Sequence, residues 1–197
     1  PTGGLLSLDG GALRTSALAM TGGTLQLNSG ELNLTGPGGL VVEASGPLGG
    51  SITVEGGQTL RVDHATAIPT GGSLSVSGGS LITSVLQIDG GSFAAPDLSG
   101  VDHLTFNSGE LNVTGPSGLV VDPTGPLGSL TLHADDRLDV AQRLNIASGG
   151  TVQLSGGSLI ASVLEVDGGL FIAPNLSGVN DLQFNSGELN FTGPGGL

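Results

Sequence analysis

The chain has 197 residues with 38 glycines, and its formal net charge is −13 because only four residues are basic. This charge repels phosphate backbones and anionic lipids, so the composition argues against nucleic-acid binding and membrane insertion. Cysteine is absent, which excludes disulfides and zinc–thiolate sites, and the 37% hydrophobic content is too high for a disordered chain.

A long internal repeat organises the sequence. The sequence that begins with PTGG at residue 1 is repeated from residue 69, and a related sequence starts near residue 147. The copies occupy residues 1–68, 69–146 and, incompletely, 147–197. Each copy contains the hexapeptide NSGELN, and its starts lie 79 and then 78 residues apart. Such a phrase is either a binding signature used three times or a part that the architecture needs in every period.

Each period divides into short strands of alternating apolar and polar residues, separated by glycine-rich corners. In chain order the first period reads LLSL, ALRT, ALAM, TLQL, ELNL, LVVE, SITV, TLRV and ATAI, and the later periods repeat this order. Alternation with a period of two indicates a strand with one buried face. Four-residue strands are not stable singly, and strands that recur in threes suggest the three faces of a coil.

We therefore predict an all-β fold, a three-sided parallel β-solenoid (β-helix) that runs continuously over residues 1–197. It has about eight coils of roughly 20–30 residues, three coils per 78-residue period, stacked about 4.8 Å apart. The general rule for parallel crossovers favours right-handed winding. The glycines of the corners supply the tight bends and the positive φ angles that such a path requires.

The hexapeptide NSGELN has a definite place in this scheme. It forms the bend before a second-face strand in every period, with Leu32 and its two counterparts pointing inward. The asparagines at its end, Asn33, Asn112 and Asn190, then point outward and recur on one side about 14 Å apart.

Two extra segments interrupt the second and third periods and are missing from the first. They are SFAAPDLSGVD at 92–102 and LFIAPNLSGVN at 170–180. Because the first period keeps its strands in phase without one, we expect each segment to leave the stack as an apolar flap. The flap either folds back on its own coil, which we prefer, or contacts a neighbouring filament or partner. The candidate contact residues are Phe93, Pro96, Leu98, Phe171, Ile172, Pro174 and Leu176.

The three histidines each lie near carboxylates, as a metal or acid–base site would require. The pairs are Asp63-His64 and Asp102-His103, and His133 is followed by two aspartates. In the coil scheme the histidines fall at separate corners and strand ends, so they do not converge. We interpret them as solvated corner residues.

Acidic corners raise the question of calcium. Asp9, Glu55, Asp89 and Asp167 lie in glycine-rich corners, where carboxylates and carbonyls can bind a hard cation. The nonapeptide of calcium-binding solenoids is absent, and we predict solvated corners with no metal or other cofactor.

Four Asn-X-Ser/Thr sequons are present, at Asn33, Asn112, Asn175 and Asn190. They matter only in a host with the matching transferase. We prefer the interpretation that the pattern is a strand end followed by a corner.

An enzyme of the polysaccharide-cleaving β-helix type must also be weighed. Such sites need clustered carboxylates, and sugar binders usually supply aromatic platforms. The outward positions here carry Ser, Thr, Asn and Gln, and the chain has no Trp or Tyr. We predict no catalytic residues. One structural ion pair is expected, between Glu110 and Arg137 on neighbouring coils.

Runs such as GGSLSVSGGSLITSVLQIDGGSF resemble the sequences of bacterial surface and secreted β-solenoid proteins. The similar groups are filamentous haemagglutinin-type exoproteins, autotransporter passengers and long repeat proteins with PEP-CTERM sorting signals. The resemblance covers essentially the whole chain and implies an extracellular or cell-surface location in bacteria. It carries no catalytic residues over.

These observations favour a non-catalytic structural repeat module of an extracellular bacterial filament or surface protein. We expect the chain to open and close within a longer array, at Pro1 and Leu197, and to associate end to end, side by side, or with further repeats of itself. The alternative is the stalk or binding region of a secreted adhesin or autotransporter-like passenger. A third alternative is a polysaccharide-active β-helix enzyme.

Overall fold

The computed structural model describes residues 5–18 and 24–194, so both Pro1 and Leu197 lie outside the described residues. Over these ranges the chain is all-β, and it contains no helix that could cross a bilayer. The strands pair in parallel, coil upon coil, which confirms the predicted β-solenoid. The chain forms two compact units, Pro1–Phe93 with Ser99–Asp102 and Ala94–Leu98 with His103–Leu197.

The first unit contains seven strands in its described part, most of them continuous around a corner. They are β1 (Leu5–Thr15), β2 (Thr24–Leu34), β3 (Leu40–Val41), β4 (Ser51–Glu55), β5 (Gln58–Pro69), β6 (Ser73–Ser77) and β7 (Ser80–Ala95), with the last residues of β7 in the second unit. Leucines stack in register along one column, which joins Leu13, Leu32, Leu60 and Leu81. This column is the predicted second face.

The corner of β2 shows why glycine is required where strands bend. Gly30 has a φ of +93°, and a Cβ at this position would lie 2.3 Å from the carbonyl oxygen of Gly11 in the coil beside it. No L-residue fits both constraints, because positive φ is strained for a side chain and the space is already filled by backbone.

The second unit contains the remaining strands of the described chain. They are β8 (Val101–Val113), β9 (Leu119–Val121), β10 (Ser129–Leu132), β11 (Arg137–Ala147), β12 (Thr151–Leu154), β13 (Ser158–Ala173) and β14 (Val179–Phe191), with the first residues of β8 in the first unit. Inward side chains such as Leu138, Val140 and Leu144 are fully buried. Each such residue contributes about 1.5–3 kcal/mol relative to an exposed one.

Three parallel columns make up the second unit. The first joins Glu110–Val113, Arg137–Val140 and Ser158–Ala161, and the second joins Leu119–Val121, Arg143–Ile146, Val163–Val166 and Asp181–Phe184. The third joins Ser129–Leu132, Thr151–Gln153, Leu170–Ala173 and Glu188–Phe191. The third column contains the strand LFIA, which belongs to the extra segment 170–180.

The prediction that the extra segments leave the stack is therefore wrong. In the third period Leu170, Phe171 and Ile172 pair with Thr151, Val152 and Gln153, as any other coil does. The end of the same segment also pairs, since Val179 lies beside Ala161. The segment occupies two positions around the coil, and every strand after it moves to a different face.

Candidate functional site

Three of the seven proposed flap residues lie in the core of the coils, and the other four are half-buried. Phe93 is 1% exposed and Phe171 is fully buried, and Leu98 is also buried. Ile172, Pro174 and Leu176 are half-buried, and so is Pro96. Phe171 contacts Phe191 of the next coil edge to face, with ring centroids 6.5 Å apart. The segments thus contribute packing inside their units and present no large apolar side chain as a flap.

The hexapeptide NSGELN does not form a row on one side of the solenoid. Within the second unit the strand Glu110–Val113 lies in the column of Arg137–Val140, whereas Glu188–Phe191 lies in the column of Leu170–Ala173. The two copies therefore face in different directions. The prediction of outward asparagines evenly spaced on one side is wrong, and a ligand could not bind these copies as a single row.

Ion pairs link neighbouring coils on the outward surface. Arg137 lies beside Glu110, with its Nε 3.4 Å from Glu110 Oε1, which confirms the predicted pair. The first period has a pair in a different register, since Arg61 lies beside Asn33 in the ladder and places its Nε 3.5 Å from Glu31 Oε1. Exposed pairs of this kind contribute about 0–1 kcal/mol each. Hydrogen bonding from Arg137 to Asp139 raises the pKa of the guanidinium and keeps it charged.

A further ion pair, Arg143 with Glu165, also joins two coils, and Asn185 from the next coil donates to the same carboxylate. Three arginines, one on β5 and two on β11, are therefore each paired with a carboxylate of an adjacent coil. Sequence reasoning found one of these pairs and missed the others. The recurrence of Glu in NSGELN and of Arg at the third position of the following TLRV strand was the available signal.

Three of the four acidic corners named for calcium, Asp9, Asp89 and Asp167, accept hydrogen bonds from neighbouring side chains. Asp9 accepts hydrogen bonds from the side chains of Asn28 and Ser7, and these bonds lower its pKa. Asp89 accepts from the Gln87 amide and Asp167 from the Ser186 hydroxyl, while Glu55 is exposed. Within the described residues no group of three or more His, Asp or Glu side chains could hold a metal ion. These carboxylates act as acceptors that tie a corner to its own coil or the next.

All three histidines are exposed. His133 Nδ1 lies 3.6 Å from the Asp136 carboxylate, and the side chain of His133 is 64% exposed. The Asp136 carboxylate of this pair is held by backbone amides. Asp136, the carboxylate that pairs with His133, has a structural role.

Asp136 is the most buried carboxylate that the structure describes, at 3% exposure, and it caps a corner. It accepts from the amide of Gly109 at 2.9 Å and from the amide of His133 at 2.8 Å. Gln58 holds the corresponding position in the first period, where its side chain accepts from the Glu55 amide and donates to the Leu27 carbonyl. Sequence reasoning missed both, although a polar residue just before TLRV and RLDV was visible.

A buried hydroxyl pair lies at the corner of β5 and β7. Thr66 Oγ1 and Thr83 Oγ1 are 3.0 Å apart, and Thr83 also donates to the carbonyls of His64 or Val85. Both threonines are almost completely buried. The pair satisfies polar groups inside the core, as buried hydroxyls must be satisfied, and offers nothing to a substrate.

The sequon asparagines divide by exposure. Asn175 and Asn190 are exposed, whereas Asn33 and Asn112 are half-buried between coils. The Asn33 Oδ1 atom is buried without a hydrogen-bond partner. Asn33 is therefore less accessible than Asn190 in the folded chain.

A shallow depression over stacked glycine corners marks the second unit. It is lined by Gly150, Gly169 and neighbouring glycines, with Thr151 and Glu188 as its polar side chains. Most of its lining is glycine backbone. No family model, no curated protein and no solved structure matches this chain, so its function has to be argued from its own residues.

Proposed function

We propose that this chain is a structural repeat module of an extracellular bacterial filament or surface protein, with no catalytic role. The observation that carries the proposal is the parallel coil stack together with an outermost described coil whose apolar side chains are uncovered. Those side chains offer a surface to one further coil of the same kind.

The uncovered surface lies on β14. Phe184 is 50% exposed, whereas Val166, its register partner on β13, is fully buried. On β1, the first strand of the first unit, Leu5 is 65% exposed and Leu6 is 46% exposed. Phe184 and Leu6 thus occupy positions whose register partners, Val166 and Leu25, are buried in their own units. A strand edge with apolar side chains is a template for pairing with another strand.

The outward side chains support the same role. Ion pairs such as Arg137–Glu110 and amide bonds such as Asn185–Glu165 connect one coil to the next. These contacts hold the stack along its axis, and they occupy polar groups that a binding surface would leave free. The partner in this proposal is a second copy of the chain or a further repeat of a longer one.

Association at the β14 edge is tested by placing a charge on it. Phe184→Lys puts an ammonium into the apolar edge, whereas Gln183→Lys adds the same charge to the polar side of the same strand. Light scattering and electron microscopy should show end-to-end assemblies for the parent protein and for Gln183→Lys, and shorter or no assemblies for Phe184→Lys. Equal behaviour of the two variants, or a parent that stays monomeric at high concentration, would contradict the proposal.

The extracellular location rests on the resemblance of the repeat text to bacterial surface solenoids. The flanking sequence of the gene tests it. Tens of further periods with a secretion or sorting signal support a filament. A terminal ligand-binding or translocator domain would instead make the chain the stalk of an adhesin.

A further inference from the structure

In the first unit, strands of successive coils meet at joins, where they are linked by a hydrogen-bonded ladder. One of these joins lacks the ladder. The first residues of β2, Thr24–Leu27, pair with Leu5–Leu8 of β1, and β4 pairs with β6. Between Leu25–Leu27 and β4 the described structure has no ladder, although both strands border the same space. This join is therefore an opening in the coil stack.

The opening is a cleft of about 190 Å³ whose lining is mainly apolar, with Gln26, Ser51 and Thr53 as its polar residues. Leu25, Leu27 and Leu32 form one side, and Ile52 and Val54 form the other. Leu48 lies at the border, in the long corner that connects β3 to β4, and it is only half-buried. An apolar cavity of about 150 Å³ is large enough to hold a benzene molecule, so this cleft has room for a leucine side chain.

The second period shows the same join closed. Leu127 is the counterpart of Leu48 in the shared text GPLG, and it is 2% exposed. The amide of Leu104, the counterpart of Leu25, donates to the carbonyl of Pro126 at 2.8 Å. Leu130, the counterpart of the half-buried Ile52, is also 2% exposed. The corner itself covers the join in the second period.

We call these corners straps, residues 43–50 (EASGPLGG) and residues 122–128 (DPTGPLG). In the closed strap the Asp122 carboxylate accepts from the amides of Thr124 at 2.7 Å and Gly125 at 2.8 Å. The Asp122 amide donates to the carbonyl of Leu127 at 3.0 Å, which brings the leucine back over the join. Asp, with its short side chain, is suited to this local turn.

The first strap differs from the closed strap in sequence and in the turn that follows its first one. It has Glu43 in place of the aspartate and one additional glycine, since Gly49-Gly50 stands where Gly128 stands alone. Its first turn matches the closed strap, since the Gly46 amide donates to the Glu43 carbonyl at 2.8 Å as the Gly125 amide donates to the Asp122 carbonyl at 3.3 Å. A second turn follows, in which the Gly49 amide donates to the Gly46 carbonyl at 3.1 Å. Leu48 is thereby held at the rim of the cleft.

We infer that the strap 43–50 is a lid on this cleft, and that it closes by seating Leu48 between β2 and β4 as Leu127 is seated in the second unit. The occupant of the cleft is thus a segment of the same chain. The β2–β4 join is the place where the coil stack of the first unit opens and closes.

Strap exchange tests this inference. Replacing residues 43–50 by DPTGPLG should fix the lid closed and slow hydrogen exchange of the Leu25 amide at least tenfold. The reverse exchange, EASGPLGG in place of residues 122–128, should accelerate exchange of the Leu104 amide by a similar factor. Unchanged exchange at both amides in folded variants would overturn the inference.

Point variants keep the test independent of whether the exchanged straps fold. If Leu48 closes the cleft in solution, Leu48→Ala should accelerate exchange of the Leu25 amide about fivefold and leave Leu104 unchanged. Leu127→Ala should do the converse. Xenon NMR then separates a lid from a standing pocket: xenon should bind Leu48→Ala more tightly than the parent. Equal xenon binding by the two would show a permanent pocket for small apolar molecules and would overturn the lid.

Discussion

Phe171 lies directly beside Val152 in the parallel ladder between β12 and β13, and both side chains are fully buried in the second unit. The strand that contains Phe171 therefore supplies a whole position of the coil. This relationship explains why the strands that follow it, including the third NSGELN, move to other faces.

The position of Phe171 predicts a large loss of stability on truncation. Phe171→Ala removes a buried ring and its edge-to-face contact with Phe191, so the free energy of unfolding should fall by about 3–5 kcal/mol. Urea unfolding followed by circular dichroism measures the change. Ile172→Ala, which truncates the half-buried outward neighbour, serves as control and should cost less than half as much. A near-neutral Phe171→Ala would restore the flap interpretation.

Asp136 should be needed for the corner that it caps. Asp136→Ala leaves the amides of Gly109 and His133 without their acceptor, and we expect a loss of about 1–3 kcal/mol in the free energy of unfolding. Asp136→Asn keeps an acceptor oxygen and should lose less. The corresponding change Gln58→Ala provides a matched test in the first period. The caps would be unimportant if both alanine variants unfolded at the parental urea concentration.

Asp135 carries the backbone strain at the same corner. Asp135 has a φ of +72°, and among the described residues it is the only one other than glycine with a positive φ. The corresponding residue of the first period is Gly57, whose φ is +84°. Asp135→Gly should raise the free energy of unfolding by up to about 1 kcal/mol, because it removes the cost of the left-handed conformation. Asp135→Val should lower it by about 1–2 kcal/mol. Thermal unfolding should therefore rank the variants Gly, Asp, Val, and another order would contradict the assignment.

The closed strap should depend on pH through Asp122. Hydrogen bonds from the side chain and backbone of Thr124 lower the pKa of Asp122 below its ordinary value of 3.8. Because the folded pKa is the lower one, these bonds stabilise the strap fully above the ordinary pKa, and their contribution is lost as pH falls through the lowered folded pKa.

Carboxyl NMR titration measures this directly. Thr124→Val removes the hydroxyl donor with little change of shape, so the midpoint of Asp122 should move up towards 3.8. The midpoint of Asp9, which is lowered by Asn28 and Ser7, should not move and serves as internal control. An Asp122 midpoint that is the same in parent and variant would show that the hydroxyl does not act on it.

Much of the fold could be predicted from local pattern alone. Alternation with a period of two located the strands, and paired glycines located the corners, because both follow from the backbone of a few consecutive residues. The same pattern placed Leu32, Leu60 and Leu81 in one column and brought Arg137 beside Glu110. Within a period that has no extra segment, equal numbers of strands per coil keep the register without further information.

The face of each later strand could not be obtained in this way. LFIA alternates like a strand and is as short as a flap. No local property of its sequence shows whether it pairs inside the coil stack or leaves it. Burial of Phe171 against the preceding coil determines the outcome, and this is a contact between residues distant in sequence. The straps depend on non-local contacts too, since the turn at Asp122 closes a join only because Leu104 lies within reach of Pro126. The strands and corners are thus determined by residues close together in the sequence. The face on which each strand lies is determined by how the coils pack against one another.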